Sequence, residues 1–221
     1  MRYKLATSPL DDLPRLAWIA VIPKTPGTVE VLHGVDVEQP ANSIVEGCWD
    51  GAFTTGGFAE HVNFFGSGLT VRPDEVVAVS SRSLTDRIIW SDSDTHFLCS
   101  NSLPLLLSFA RAGLHPHVDY GPVIGSCLKG MRHYRRDIPL KGAIAACHQV
   151  FGHNVIFRGD EVRPAFRNAP AVGLGDFEDY QTALDEVISG IVANCRDPAR
   201  RTRVSISATL SAGYDSTAVT A

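Results

Sequence analysis

Over the first hundred residues, apolar and polar positions alternate in short runs. Ala17–Pro23 (AWIAVIP) and Thr28–Gly34 (TVEVLHG) flank a turn at Pro26-Gly27. Ala59–Gly66 (AEHVNFFG), Glu75–Ser81 (EVVAVSS), Asp86–Asp92 (DRIIWSD) and Thr95–Asn101 (THFLCSN) follow. Each mixes β-branched and aromatic residues and is bounded by Gly, Asp, Ser or Asn, so each predicts a strand. The stretch Asp86–Ser100 reads as a hairpin turning at Ser91–Asp94. Short, regular strands predict a layered antiparallel sheet.

The period then changes. Asn101-Ser102-Leu103-Pro104 opens a predicted helix, with Asn101 or Ser102 as cap, an apolar stripe of Leu105, Leu106 and Phe109, and Gly113 as its stop. Residues 119–134 are more broken by glycine. Residues 148–164 read as two strands joined at Gly159-Asp160. A longer helix is predicted from Asp176, because Tyr180, Ala183/Leu184, Val187/Ile188 and Ile191/Val192 recur at helical spacing. Glu178 and Asp179 fall in its first turn, where the helix dipole favours anions. Residues 196–203 (RDPARRTR) read as a polar linker into a strand at Val204–Leu210 (VSISATL). The pattern thus divides the chain into a β-rich domain, 1–170, and the start of an α/β domain, 171–221.

Composition narrows the class. Hydrophobic residues make up 44% and charged residues 20%, enough to bury a core. The net charge of −4 gives no global attraction to nucleic acid or anionic membrane. No run has the length of a membrane span, and Asp11 and Asp12 interrupt the start before any signal-like apolar stretch. A cytoplasmic protein is expected. The five cysteines are odd in number and never spaced C-x-x-C, which predicts free thiols.

The candidate chemistry lies at the end of the chain, in Val204–Ala221 (VSISATLSAGYDSTAVTA). A strand, a turn of small residues and a helix start form a common phosphate cradle. Backbone N–H groups converge there and the helix N-terminus adds partial positive charge. Ser211, Gly213, Ser216 and Thr217 supply small side chains and hydroxyls, and Asp215 could orient Mg2+. There is no lysine in the turn, so it is not a Walker loop. An ordinary turn with an N-cap remains open on spacing alone.

The stretch TLSAGYDST resembles the S-G-G-x-D-S pyrophosphate loop of ATP-pyrophosphatase enzymes. From about Asn101 onward the chain resembles the asparagine synthetase family, including its β-lactam synthetase-like and lasso-peptide cyclase-like branches. DRIIWSDSDTHFLCSNSLPLLL resembles the end of that family's glutaminase domain, and FEDYQTALDEVISGIVANCRD sits where the family has the first helix of its synthetase domain. The resemblance implies an α+β fold: an N-terminal-nucleophile-like αββα sandwich followed by the start of an α/β PP-loop domain. It implies an ATP- and Mg2+-dependent amide ligase that adenylates a small-molecule or peptide carboxylate for attack by an amine donor, with no nucleic-acid or membrane partner and with a homodimer as one assembly. The loop Ser211, Ala212, Gly213, Tyr214, Asp215, Ser216, Thr217 would hold the nucleotide.

Three departures count. Ala212 stands where the family has Gly. Arg2 stands where glutaminase members carry the nucleophilic Cys, and Cys48 is internal, so glutamine hydrolysis is not expected. The sequence stops at Ala221, so we expect a piece of a longer ligase, inactive alone. The competing expectation is a non-catalytic scaffold or partner-binding module with a vestigial loop. Other motifs are weaker. His115, His117, His148 and His153 lack partners at metal-ligand spacing. Phe65–Leu69 (FGSGL) reads as a turn, VGLGDFEDY fails the dinucleotide pattern at Glu178, and Arg132–Asp137 (RHYRRD) reads as a solvated basic face, with RNA or peptide contact as the sharper alternative.

Overall fold

A computed structural model of the chain describes residues 2–84, 86–167, 173, 175–202 and 204–205. Among these residues the fold is mixed α+β, with two sheets and few helices. The larger sheet runs β1 (Lys4–Pro9), β3 (Thr28–His33), β2 (Trp18–Pro23), β8 (His96–Ser100), β7 (Ile88–Asp92), β11 (Ala146–Val150), β10 (Asp137–Gly142), β9 (Ala112–Leu114). The smaller runs β13 (Glu161–Ala165), β12 (Asn154–Arg158), β6 (Val76–Val79), β5 (Phe64–Val71), β4 (Ser43–Trp49). Neighbours pair antiparallel except β1 and β3, which run parallel.

The strand period decides which side chains meet. In β6, Val76 and Ala78 face the space between the sheets while Val77 and Val79 face outward. The inner layer joins Trp18, Ile22, Val31 and Phe97 of the larger sheet to Ile44, Leu69, Val76 and Phe157 of the smaller. The outer face of the larger sheet is covered by Leu103 and Leu106 of α1 (Leu103–Phe109) and Val123 of α2 (Gly121–Ile124), packed on Ile89, Leu98, Ile138 and Cys147. On the outer face of the smaller sheet, Trp49, Phe64 and Val79 pack under Phe53 and Phe58.

Several expected elements shift for identifiable reasons. The cap of α1 is Ser102, whose Oγ accepts from Leu105 N at 3.4 Å. The Asn101 amide is engaged elsewhere, accepting from Trp18 N and donating to Leu16 O, both at 2.9 Å. The helix stops at Phe109 rather than near Gly113, because Arg111 turns to φ 48° and Ala112–Leu114 pairs with β10 as a strand. The strand expected over Ala59–Gly66 begins only at Phe64, since the Asp50 carboxylate holds His61 and Asn63 in a loop at 2.9 and 2.8 Å. FGSGL lies within β5 and is not a turn. The hairpin of β7 and β8 closes two residues later than its sequence suggests, over Ser93–His96, with Ser93 N donating to His96 O. The β12–β13 hairpin turns at Gly159-Asp160 as expected.

The long helix, α3 (Phe177–Cys195), begins at its expected cap, where Asp176 Oδ1 accepts from Asp179 N at 3.0 Å. Its apolar stripe is half-buried except for Tyr180, which is exposed, and only Asn194 and Cys195 at its end are buried. Among the described residues no helix is long and apolar enough to cross a membrane.

Candidate functional site

Residues 211–217, and with them the expected nucleotide ligands and Asp215, lie outside the described residues. So does most of the strand expected over 204–210; its first two residues, Val204 and Ser205, are described and are not in a strand. Arg2, at the position where the resembled family has its nucleophile, is exposed, and the next residue, Tyr3, is buried with its N–H on Pro73 O at 3.0 Å. All five cysteines are free. Burial, and then the neighbouring Cys195, push the Cys48 thiol up to about 12, so it holds almost no thiolate near neutral pH.

The segment expected as a polar linker is instead clasped to the sandwich through one buried side chain, Arg200. β4 is an edge strand, so Val45, Gly47 and Trp49 turn backbone groups away from the sheet. Val45 exchanges two 2.8 Å hydrogen bonds with the Glu38 backbone. Gly47 O accepts from Arg200 Nη2 at 2.9 Å, and Trp49 N donates to Asn194 Oδ1 at 3.4 Å. The Arg200–Glu38 ion pair lies behind them, its side chains 2% and 5% exposed. Arg200 also donates to Asn194 O and stacks over Phe53, 4.3 Å from the ring centroid. The other Glu38 oxygen accepts from Arg201 N and Thr202 N. The chain ahead of the expected loop is thereby bolted to the sandwich.

A second polar cluster opens onto solvent at the end of the inner layer. Glu46 of β4 accepts from Ser67 Oγ at 2.7 Å, and Ser67 Oγ accepts in turn from the buried Trp18 Nε1 at 2.8 Å. This relay fixes the carboxyl at the junction of two cavities of about 520 and 490 Å3. Both cavities are lined by Glu46, Asp86, Arg87 and Asn101. Burial pushes the Glu46 carboxyl up to about 7, with the charge of Asp86 adding and the bonds from Ser67 and Asn101 opposing. Arg87 does not offset it. Its Nη1 donates to Gln149 Oε1 at 2.8 Å, and Gln149 is held by Val123 O and Arg135 O.

The remaining sequence candidates are not brought together. His148 Nδ1 donates to Asp137 Oδ1 (2.7 Å), His61 Nδ1 meets Asp50 Oδ1, and His153 Nδ1 meets Phe151 O. His115 and His117 sit side by side on an exposed loop, their rings tilted at 57° with centroids 5.9 Å apart. Among the described residues no three His, Cys, Asp or Glu side chains could share a metal ion. Arg132–Asp137 is a largely exposed stretch anchored by Tyr134, whose hydroxyl donates to Gln149 O. Of VGLGDFEDY, the described part serves as the start of α3, with Gly175 N on Asp179 Oδ2. Neither Glu46 nor Arg200 stands in a recognisable motif; each acquires its surroundings from residues far away in the chain. No protein-family model matches this chain, and no curated protein matches it.

Proposed function

We propose that the chain is part of an asparagine synthetase-like, ATP-dependent amide ligase. The observation that carries this reading is the sequence Ser211-Ala212-Gly213-Tyr214-Asp215-Ser216, preceded by a β-branched stretch and a capped amphipathic helix. The two-sheet sandwich, with α1 and α2 on the outer face of its larger sheet, is compatible with a glutaminase-type αββα unit, and the Arg200 contacts anchor the described chain that precedes the loop in sequence. In this reading the N–H and hydroxyl groups of Ser211, Gly213 and Ser216 bind the pyrophosphate part of the nucleotide, Asp215 orients Mg2+, and Thr217 opens the following helix. Bound Mg2+·ATP would supply the activation of a carboxylate. With Arg2 in place of a nucleophile, the amine comes from a source other than glutamine.

Binding of Mg2+·pyrophosphate to the whole chain, followed by calorimetry, tests the reading. Saturable binding is expected, and Asp215→Ala and Ser211→Ala should each weaken it about tenfold or more, the worth of a charge-assisted hydrogen bond. Absence of binding, or binding indifferent to both substitutions, would refute it. Ammonia release from glutamine would refute the loss of glutaminase activity. Ala212 favours a second reading, a non-catalytic scaffold with a vestigial loop. Binding that appears only in Ala212→Gly would decide for that alternative.

A further inference from the structure

We propose that the cavity of about 390 Å3 between α2 and residues 132–135 binds a small phosphate monoester as its dianion, held by the guanidinium groups of Arg132 and Arg135 and by the Ser126 hydroxyl. The inference rests on this cavity alone, and its failure would leave the nucleotide reading untouched.

Three observations point to this ligand class. First, the charge of the wall is one-sided. It is lined by Pro122, Ser126, Arg132, His133, Tyr134 and Arg135, with no carboxylate among the described residues. Neither Arg132 nor Arg135 has an acidic partner among those residues. The next residue, Arg136, pairs with Asp137 at 3.0 Å, and Asp137 also holds His148. Two guanidinium groups without an anion match the nearly two negative charges of a phosphate monoester. Second, the wall is fixed before any ligand arrives. Arg135 N donates to Ser126 Oγ at 2.9 Å, and Arg135 O accepts from Gln149 Nε2 at 2.7 Å. Ser126 is 2% exposed and Gln149 is fully buried, so both backbone groups of Arg135 are pinned to the interior. The Tyr134 hydroxyl donates to Gln149 O and pins the residue before it. A wall held in this way loses little entropy on binding. Third, the donors suit a tetrahedral oxyanion. Each guanidinium presents a planar fork of N–H groups that matches phosphate oxygens. The Ser126 hydroxyl accepts from Arg135 N and keeps its own hydrogen, which has no acceptor among the described residues. Pro122 and the Tyr134 ring offer the ester's organic part an apolar side, and the volume leaves room for it.

Titration of phenyl phosphate into the whole chain, by calorimetry and phosphorus NMR, tests this at about pH 8, where the ester carries both charges, with EDTA in place of Mg2+. Saturable binding at one site is expected. Phenyl sulfate, of the same shape with one charge, should bind about tenfold more weakly. Arg132→Ala and Arg135→Ala should each weaken phenyl phosphate about tenfold, the worth of a charge-assisted hydrogen bond. Both side chains are exposed, so neither change should disturb the fold. Arg136→Ala removes an equal charge outside the wall and should change the affinity less than about twofold. Asp215→Ala should leave it unchanged, which separates this cavity from the nucleotide loop. Phosphoserine within a peptide should bind no tighter than phosphoserine alone. No saturable binding by the native protein, equal binding of phenyl sulfate, an equal loss in Arg136→Ala, dependence on Asp215, or tighter capture of the phosphopeptide would each overturn the proposal.

Discussion

Replacing Arg200 by methionine should unfold the clasp first and destabilise the whole sandwich with it. The side chain is 2% exposed and faces a Glu38 carboxylate that is 5% exposed. Methionine keeps most of the length and removes the charge, so Glu38 would be left buried without its cation. Breaking a buried pair in this way costs about 3–5 kcal/mol, because the stranded charge keeps its desolvation penalty after its partner has gone. The guanidinium also bonds Gly47 O at 2.9 Å and Asn194 Oδ1 at 2.5 Å, and those acceptors would lose a donor. Against a total of about 5–15 kcal/mol for a domain, the loss is a large share. Urea unfolding followed by tryptophan fluorescence measures it, since Trp49 lies 5.8 Å from the guanidinium. Thiol titration gives a second readout: release of the clasp should expose Cys195 and Cys48 to a thiol reagent before global unfolding. The double variant Glu38→Gln/Arg200→Met should recover much of the loss. A single-variant cost below about 1 kcal/mol, the worth of an exposed pair, would refute the argument that this pair is buried and structural.

Two further outcomes follow from β4 and its neighbour. The Glu46 carboxyl binds its proton more tightly folded than unfolded, so between about pH 4.5 and 7 the folded state holds more protons and stability falls as pH rises. The contribution is fully present below the unfolded value and is lost through about 7; its full size is about 3 kcal/mol. Melting temperature against pH should show the decline in the native protein and a flatter profile in Glu46→Gln; identical profiles would count against the assignment. Gly66→Ala should destabilise by at least about 2 kcal/mol in denaturant, since Gly66 has φ 129° and a Cβ there would stand 2.0 Å from Glu46 O. Gly113→Ala, with open space around it, should stay within about 1 kcal/mol and serves as the control.

What could be read from sequence was whatever local pattern controls. β2, β3 and β8 and the β12–β13 hairpin follow from alternation and turn residues, and α3 begins at the residue its cap demands. β4 was missed because Glu46, Gly47 and Cys48 break the alternation in its second half. The glycine is there for a tertiary reason: Gly47 and Gly66 stand opposite each other at φ 128° and 129°, where a Cβ on either would meet the partner strand's backbone. β10 was hidden by Pro139 and Lys141, which face solvent in a strand whose other face is buried. The Glu46 groove was illegible for a related reason. Its lining includes residues 46, 86, 87, 101, 127 and 151, and no local spacing brings those together.

The clasp shows most directly why a polar stretch need not be a linker. RDPARRTR carries four arginines, a proline and no apolar run, and every local rule sends such a segment to solvent. The decisive fact lies elsewhere, at the edge of the smaller sheet. Val45, Gly47 and Trp49 each present a backbone group that would otherwise meet water or another chain. Glu38 satisfies the first, Arg200 the second and Asn194 the third. Sealing the edge requires a side chain long enough to reach a carbonyl from outside the sheet and able to hold several acceptors at once, and arginine has the donors for it. Burying that guanidinium then requires an anion, which Glu38 supplies from the segment that already bridges Val45. The same three residues therefore close the sheet and, through Glu38, hold the backbone at Arg201 and Thr202 against it, so the seal of this edge and the anchoring of that segment stand or fall together.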